Sequence, residues 1–348
     1  MRAMVMDSFG GPLRVREVAD PEPPEGGVVV RVLATGLCRS DWHAWMGHDD
    51  DVKTLPHVPG HELAGVVSAV GAGVANWSVG DRVTSPFVEG CGACEWCRSG
   101  NAQVCPAQQQ PGFTHWGSFA EYVVIHAADT NLVAIPGAVT SEAAASLGCR
   151  FATAYRALTG RARVEAGEWV TVVGAGGVGL SAVMIAKAMG AAVIAVDRTA
   201  GALDVAKRLG ADHVLVADGR DVPAQVHALT GGGSHVAVDA VGGEQACTDS
   251  ILSLRRRGRH VQVGLLPPLD GQHPRIPMAR VIGWELDLLG SHGMAAADYP
   301  GMLALIGRGD LRPQDLVERV ISLDEAATLL PTLDTASPAG MTMIDPRI

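Results

Sequence analysis

The glycine pattern at residues 174–179 limits the possible folds of this chain more than any other feature. It reads Gly-Ala-Gly-Gly-Val-Gly, follows the valine-rich run WVTVV directly and precedes helix-forming residues. In a chain with 43 glycines the pattern alone is weak. Its position between a strand and a helix, with Asp197 at the end of the next apolar run, predicts a dinucleotide-binding turn. The alternative is an ordinary tight turn with a surface aspartate.

Each part of this turn has a physical role. Gly174 would permit the tight turn, Gly176 would let the backbone approach a pyrophosphate, and Gly179 would let helix and strand pack closely. The helix N-terminus would offer amide donors and positive potential to the phosphates. Asp197 would bind the ribose hydroxyls and repel a 2′-phosphate, so we expect NAD rather than NADP, although Arg198 would soften that preference. The loop residues expected at the cofactor are Gly174, Gly176, Gly177, Val178 and Gly179.

Strands and helices alternate from about residue 141, where Ser141 is expected to cap a helix that runs through SEAAASLGCRFATAYRAL. The six candidate strands are 169–174, 192–197, 213–216, 235–241, 260–264 and 285–291. This alternation predicts a doubly wound parallel sheet. The first third instead contains short valine-rich runs bounded by Gly, Asn or Asp, which are typical of a barrel or sandwich. The fold class is therefore α/β with a β-rich part, and the pattern after residue 291 fits either part.

Charge and hydropathy exclude several classes of protein. The formal net charge of −10 argues against binding to a nucleic-acid backbone, which needs a basic face. Residues 169–186 are uncharged, but their glycines favour the α/β interpretation over a membrane helix. The N-terminal residues lack the pattern of a signal peptide, so we expect a cytoplasmic protein without a membrane partner. In that reducing compartment, clustered cysteines favour a metal over disulfides.

Four cysteines lie within fifteen residues, at Cys91, Cys94, Cys97 and Cys105. Thiolates at this spacing can surround a zinc ion tetrahedrally, and a site filled by four protein ligands is structural. A redox pair would accompany a βαβ pattern, whereas this loop lies in the β-rich part. An iron–sulfur cluster remains an alternative.

Three further residues from distant segments form a second candidate site. Cys38, His61 and Cys149 would give zinc three ligands and leave one position open, as in catalytic sites. Spacing alone cannot establish this site. Taken singly, the two cysteines are compatible with small buried apolar residues and His61 with an ordinary loop histidine. Cys247 is expected to be a buried helix residue.

Several stretches together resemble the zinc-dependent alcohol dehydrogenases of the medium-chain dehydrogenase/reductase superfamily. They are CRSDWHAW, GHELAG, the four-cysteine loop, GCRFATAY and GAGGVG followed by Asp197, in this order over essentially the whole chain. The length and SDWHAW resemble the short tetrameric microbial branch. The resemblance implies a GroES-like catalytic domain at 1–151 and 288–348, a Rossmann NAD-binding domain at 152–287, and a homotetramer formed as a dimer of dimers.

The resemblance also implies the chemistry. Two zinc ions per chain are expected, a catalytic one on Cys38, His61 and Cys149 and a structural one on the four-cysteine loop. The catalytic zinc would lower the pKa of a substrate hydroxyl, and hydride would pass reversibly between the alcohol and NAD. The proton would leave through Ser40 and His43. Glu62 is the acid beside the metal.

Further roles follow from the same resemblance. Asp41 would orient the imidazole ligand. The remaining cofactor contacts are expected at Arg39, Thr153, Val178, Val241, Gly264 and Leu265, and the substrate pocket at Ser40, Trp42, Phe87 and Trp116. Without the resemblance, Ser40 could cap a helix that starts at Asp41, Arg39 could be a surface charge, and His43 could cover an apolar patch. Arg150 has no assigned role.

The expected substrate is a primary aliphatic or aryl alcohol, or a simple secondary one. Two alternatives stay within the superfamily: an NADP-preferring aldehyde or ketone reductase, and a polyol or amino-alcohol dehydrogenase. A third alternative is a zinc-stabilised binding protein without catalysis. Cofactor preference, a substrate panel and metal content would distinguish them.

Overall fold

A computed structural model describes residues 1–266, 272–335 and 339–348. The chain divides into two compact units. The first comprises Met1–Ala152, Gly293–Gly309 and Pro313–Ile348, and the second comprises Thr153–His292 and Asp310–Arg312.

The strands of the described residues, in chain order, are β1 (Arg2–Met6), β2 (Leu13–Glu17), β3 (Val28–Leu37), β4 (Leu63–Val70), β5 (Arg82–Thr84), β6 (Tyr122–Ile125), β7 (Val133–Ala134), β8 (Trp169–Val173), β9 (Ala192–Asp197), β10 (His213–Val216), β11 (Ser234–Asp239), β12 (Leu254–Gln262), β13 (Asp287–Gly290), β14 (Val317–Ile321) and β15 (Met341–Ile344). The α-helices are α1 (Arg39–Met46), α2 (Glu95–Arg98), α3 (Ala128–Asn131), α4 (Ser141–Ala145), α5 (Ala152–Arg156), α6 (Gly177–Ala188), α7 (Ala200–Arg208), α8 (Val222–Thr230), α9 (Glu244–Leu252), α10 (Met278–Trp284), α11 (Tyr299–Arg308) and α12 (Leu323–Leu329).

The second unit contains a six-stranded parallel sheet in the order β10-β9-β8-β11-β12-β13. Valine-rich strands such as β8 are buried because helices cover both faces of such a sheet. The order reverses direction between β8 and β11, and ligands of open parallel sheets bind outside the carboxyl ends of strands at such a switch point. The predicted doubly wound sheet is confirmed.

The first unit is built on a seven-stranded sheet, β14-β15-β3-β4-β5-β7, with β6 also paired to β3. Most of its pairs are antiparallel, and β14–β15 is parallel. β3 is nearly continuous in apolar residues because it is buried along most of its length. The end of β3 leads directly into α1, which places Cys38 at a junction between strand and helix.

The segment expected to be one helix from Ser141 is interrupted. Thr140 rather than Ser141 caps α4, its hydroxyl accepting a hydrogen bond from the amide of Ala143 at 3.3 Å. Residues Leu147–Phe151 then form a π-helical turn before α5. Such turns widen a helix locally and are frequent at functional sites. Cys149 lies on this turn.

Among the described residues, no helix is both long and apolar enough to cross a membrane.

Candidate active site

Four potential metal ligands from distant parts of the sequence meet inside the first unit. Ligand atoms of Cys38, His61, Glu62 and Cys149 all lie within 4.8 Å of one another. His61 and Glu62 are fully buried, and Cys38 is 7% exposed. The structure thus brings together the three predicted zinc ligands and the predicted adjacent acid.

Three different elements supply these side chains. Cys38 is the N-cap of α1, which starts at Arg39. His61 and Glu62 immediately precede β4, and Cys149 projects from the π-helical turn. Because α1 starts at Arg39, Ser40 lies inside the helix, and the alternative in which Ser40 caps a helix starting at Asp41 is wrong.

Asp41 fixes the orientation of His61. One carboxylate oxygen of Asp41, Oδ1, accepts hydrogen bonds from His61 Nδ1 at 2.8 Å and from the Gly60 amide at 3.2 Å. The other, Oδ2, accepts the amide of Cys38 at 2.9 Å. With Nδ1 committed to Asp41, His61 Nε2 is left buried without a hydrogen-bond partner. An imidazole held in this way presents Nε2 to a metal.

The electrostatics of the cluster attract a cation. The neighbouring Cys149 thiol, together with the charges of His61 and Arg150, lowers the pKa of Cys38 well below its usual value despite burial. Burial alone would lower the pKa of His61, but Asp41 and Cys38 raise it well above its usual value. The negative charges of Asp41 and Cys38 that favour a proton on His61 also favour a metal cation at its Nε2. Two thiols, an imidazole and a carboxylate are a donor set that suits zinc.

Glu62 is paired with Arg150, for which the sequence suggested no role. The Arg150 side chain contacts both carboxylate oxygens of Glu62. Burial alone would lower the pKa of Arg150, but the Glu62 carboxylate raises it. The pair is therefore a buried ion pair beside Cys149.

The predicted relay residues lie along α1. The hydroxyl of Ser40 is 3.8 Å from the sulfur of Cys38. His43 follows three residues later, which places it on the same side of the helix as Ser40. Its Nδ1 is 3.2 Å from Nδ1 of His48, an exposed histidine that sequence reasoning missed. Burial, with the charges of Arg39 and His48, lowers the pKa of His43, so it is neutral near pH 7 and able to accept a proton.

Aromatic rings lie beside His61 and along α1. Phe87, predicted for the pocket, and Phe113, which was missed, lie with ring centroids 6.0 and 5.2 Å from His61. Trp42 contacts the rings of His43 and His48. Phe113 is an aromatic residue in FTHWGSF, and only the fold shows that it contacts His61.

Arg39 and Trp116 each contact other residues of the first unit. The Arg39 guanidinium lies 5.4 Å from the Trp42 ring and donates to the carbonyl of Leu333 at 3.3 Å. Trp116 donates to the carbonyl of Pro56 at 3.1 Å and lines a cavity of about 260 Å³ with Tyr122 and other residues. None of Cys38, His61, Glu62 and Cys149 lines that cavity.

The four-cysteine loop forms a second cluster in the first unit. The ligand atoms of Cys91, Cys94, Cys97 and Cys105 lie within 4.8 Å of one another, and all four cysteines are free thiols. The sulfur of Cys94 is 3.5 Å from that of Cys97 and 3.7 Å from that of Cys105. A zinc tetrahedron with bonds of about 2.3 Å has sulfur–sulfur edges of about 3.8 Å, which matches these distances. Amides of Ala93 and Cys94 lower the pKa of Cys91 to about 6, which favours its thiolate.

The glycine turn of the second unit has the predicted geometry. Gly174 has a φ of +97°, a left-handed conformation that favours glycine. A Cβ at Gly179 would lie 1.7 Å from the carbonyl oxygen of Gly174, so only glycine fits there. A Cβ at Gly176 would meet no atom within 4 Å, which leaves its space open to a ligand. Gly176 is also the N-cap of α6. Because it has no side chain to accept a hydrogen bond, the first amides of the helix remain available to a ligand.

Asp197 lies at the end of β9 beside this turn. Its carboxylate accepts the amide of Ala175 at 2.7 Å and the amide of Thr199 at 2.9 Å. The acid therefore supports the turn itself. Arg198 is exposed next to it, and Gly177 and Val178 form the first residues of α6.

The other expected cofactor contacts cluster at the carboxyl ends of strands. Val241 and Leu265 are exposed there, at 57% and 61%. A Cβ at Gly264 would lie 2.3 Å from the amide nitrogen of Gly242, so the two loops touch. Asp239, which sequence reasoning missed, is fully buried and accepts the amides of Val241 and Gly242 at 2.8 and 3.0 Å.

Thr153 and Cys247 of the second unit were also named in the sequence predictions. Thr153 is nearly buried, and its hydroxyl has no hydrogen-bond partner. A nearly buried hydroxyl of this kind is available to a ligand. Cys247 is buried in α9, as predicted.

Comparisons with known proteins agree with this arrangement. Residues 24–137 match the alcohol dehydrogenase GroES-like domain, and residues 177–308 match the zinc-binding dehydrogenase family. The chain is 42% identical over 270 residues to an alcohol dehydrogenase of Geobacillus stearothermophilus, covering 77% of this chain and 78% of that one. It is 32% identical to an NAD-dependent alcohol dehydrogenase of Sulfurisphaera tokodaii, covering 99% of this chain and 100% of that one.

A solved structure gives the same picture of the fold. A zinc-binding dehydrogenase from Sinorhizobium meliloti, solved bound to NADP, superposes with a TM-score of 0.87 at 28% identity and covers 99% of each chain. The predicted combination of a GroES-like part with a doubly wound sheet is confirmed.

Proposed function

Because the chain belongs to the zinc-dependent alcohol dehydrogenases of the medium-chain dehydrogenase/reductase superfamily, we propose that it oxidises simple alcohols with NAD at a zinc ion bound by Cys38, His61 and Cys149. The observation that carries this proposal is His61, whose Nδ1 is held by Asp41 and whose buried Nε2 has no partner. A second zinc on the four-cysteine loop would have four protein ligands and a structural role.

The chain's own residues bind the alcohol and move its proton. When bound, zinc lowers the pKa of the alcohol hydroxyl and the nicotinamide takes the hydride. Ser40 accepts the hydroxyl proton, because its hydroxyl lies beside Cys38 and both donates and accepts. His43, neutral near pH 7, then accepts the proton and can pass it to the exposed His48, whose Nδ1 lies 3.2 Å from its own.

The lining of the cluster supports apolar substrates. Phe87 and Phe113 lie against His61 and exclude water from it, and they offer no hydrogen-bonding group to additional hydroxyls. Primary aliphatic or aryl alcohols and simple secondary alcohols fit this lining better than polyols or amino alcohols. The products are the corresponding aldehydes and ketones, and the reaction is reversible.

The preference for NAD rests on Asp197. Its negative charge at the end of β9, beside the glycine turn, disfavours a 2′-phosphate. Arg198 favours the alternative, an NADP-preferring reductase, because its exposed guanidinium would attract that phosphate.

Kinetics with both cofactors test the proposal. The purified protein is assayed on primary, secondary and aryl alcohols, sorbitol and threonine, with NAD and with NADP, and its zinc content is measured. We expect turnover of simple alcohols with NAD and about two zinc ions per chain. Cys149→Ser should abolish turnover in a folded protein, whereas the matched variant Cys247→Ser keeps it. Stronger turnover with NADP, or activity on sorbitol or threonine alone, would contradict it.

A homotetramer in the cytoplasm is proposed for this chain. β13 is the end strand of its sheet, and an end strand invites pairing with a second copy, as in a tetramer formed from dimers. Seven free thiols suit a reducing, cytoplasmic location. Light scattering of the purified protein measures the mass and tests the tetramer.

A further inference from the structure

Arg150 is a charged side chain placed where charges are rarely found. It directly follows the ligand Cys149 and is 6% exposed, while its partner Glu62 is fully buried. Removing a guanidinium and a carboxylate from water costs several kcal/mol per ion in typical proteins, on the order of the coulombic attraction that offsets it. A pair retained at such a cost beside the metal ligands needs an explanation other than stability.

The hydrogen bonds of Arg150 occupy both oxygens of the Glu62 carboxylate. The Arg150 backbone amide donates to Oε1 at 2.9 Å. Its Nε donates to Oε1 at 2.9 Å and to Oε2 at 3.0 Å, and its Nη2 donates to Oε2. Packing reinforces this geometry, since a Cβ at Gly36 would lie 2.0 Å from Oε2 and 2.7 Å from Nη2. The carboxylate is therefore held on Arg150 by four donor contacts and by the backbone of β3.

Glu62 would otherwise be a ligand. One of its oxygens lies within 4.8 Å of the ligand atoms of Cys38, His61 and Cys149, and carboxylate oxygen is a common zinc ligand. A zinc ion with three protein ligands has one position left for substrate. A buried carboxylate without Arg150 would need another cation, and the nearest is the metal.

We propose that Arg150 is a positioning residue that keeps Glu62 off the catalytic metal and thereby keeps the fourth coordination position open. The proposal rests on the zinc site proposed above. Without Arg150 the carboxylate of Glu62 completes a closed four-ligand site, which holds metal more tightly and admits substrate poorly. Arg150 thus makes the difference between a catalytic and a structural type of coordination at this cluster.

Metal release from four proteins tests the proposal: wild type, Arg150→Met, Glu62→Gln and the double variant. Each is loaded with Co²⁺, and release to a chelator and the visible absorption spectrum are recorded. The kinetic phase of cobalt release that disappears in Cys149→Ser belongs to the cluster of Cys38, His61 and Cys149. We expect Arg150→Met to slow that phase at least about tenfold and to shift the spectrum. The double variant should release cobalt at the rate of Glu62→Gln, because no carboxylate remains to bind.

Arg150→Lys is a second substitution at this position, used in case Arg150→Met does not fold. It keeps the charge, but an ammonium cannot cover both carboxylate oxygens, so release should slow in the same direction and by less. Equal release rates in wild type, Arg150→Lys and Arg150→Met, or faster release in both variants, overturn the role of Arg150. A wild-type protein whose cobalt phase is unaffected by Cys149→Ser refutes the proposed zinc site itself, which is a different outcome.

Discussion

Replacing Asp41 by asparagine tests most directly how the side chains of Cys38, His61 and Cys149 are organised. The Asp41 carboxylate accepts hydrogen bonds from Cys38 N, Gly60 N and His61 Nδ1, at 2.9, 3.2 and 2.8 Å. An asparagine of the same shape has one accepting oxygen. If that oxygen faces Gly60 and His61, its NH₂ group faces the amide of Cys38, and two donors oppose each other.

The expected magnitude follows from this mismatch. A buried donor left without an acceptor costs about 1–3 kcal/mol, so the metal-free variant should lose about that much unfolding free energy. Loss of the negative charge behind His61 should lower the affinity of the cluster for metal about 10–100-fold. The two effects are separable, because the first is measured without metal.

Urea unfolding of the metal-free protein and zinc competition against a chelator measure these quantities. Asp204→Asn is the matched control, since the Asp204 side chain is 69% exposed. An Asp41→Asn protein with zinc affinity within about twofold of wild type would refute the role assigned to Asp41.

Three further predictions follow from particular contacts. Gly179→Ala should prevent folding of the second unit because its Cβ would lie 1.7 Å from a carbonyl oxygen. Gly176→Ala should fold, because its Cβ would meet no atom within 4 Å, but should bind the dinucleotide more weakly. Circular dichroism and cofactor titration distinguish the two variants. Cys94→Ser should lose about one zinc per chain and lower the melting temperature, and Cys247→Ser should keep its zinc. Burial lowers the pKa of His115 in the folded protein to about 4, whereas its pKa in the unfolded chain is about 6.5. The unfolded chain therefore binds a proton first, and the free energy of unfolding decreases as the pH falls below about 6.5. His115→Gln should remove about 2 kcal/mol of the stability lost between about pH 7 and pH 5 in urea titrations, and an unchanged pH dependence would contradict this.

Local patterns in the sequence were sufficient to predict the parallel sheet of the second unit. The alternation of valine-rich runs with helices predicted the parallel sheet, because strand and helix periodicities are properties of neighbouring residues. The glycine turn was predictable for the same reason, since its roles concern a φ angle at Gly174 and a contact five residues away at Gly179. Local patterns were less reliable at helix ends, where Thr140 rather than Ser141 caps α4 and a π-helical turn breaks the expected helix.

The candidate site of the first unit could be predicted less fully from local sequence. The clustering of the four cysteines could be predicted because they are close in sequence. Cys38, His61 and Cys149 are far apart, and from the residues alone they were only one of several interpretations. The resemblance to a family, rather than any spacing, brought them together in advance.

The sequence by itself determined the sheet of the second unit, its glycine turn and the close spacing of the four cysteines in the loop. Tertiary structure alone decided that Glu62 binds Arg150, 88 residues away, that Asp41 leaves His61 Nε2 free, and that Phe113 lies against His61. The physical reason is that burial and charge pairing depend on which distant segments meet. No periodicity of a single segment records that choice.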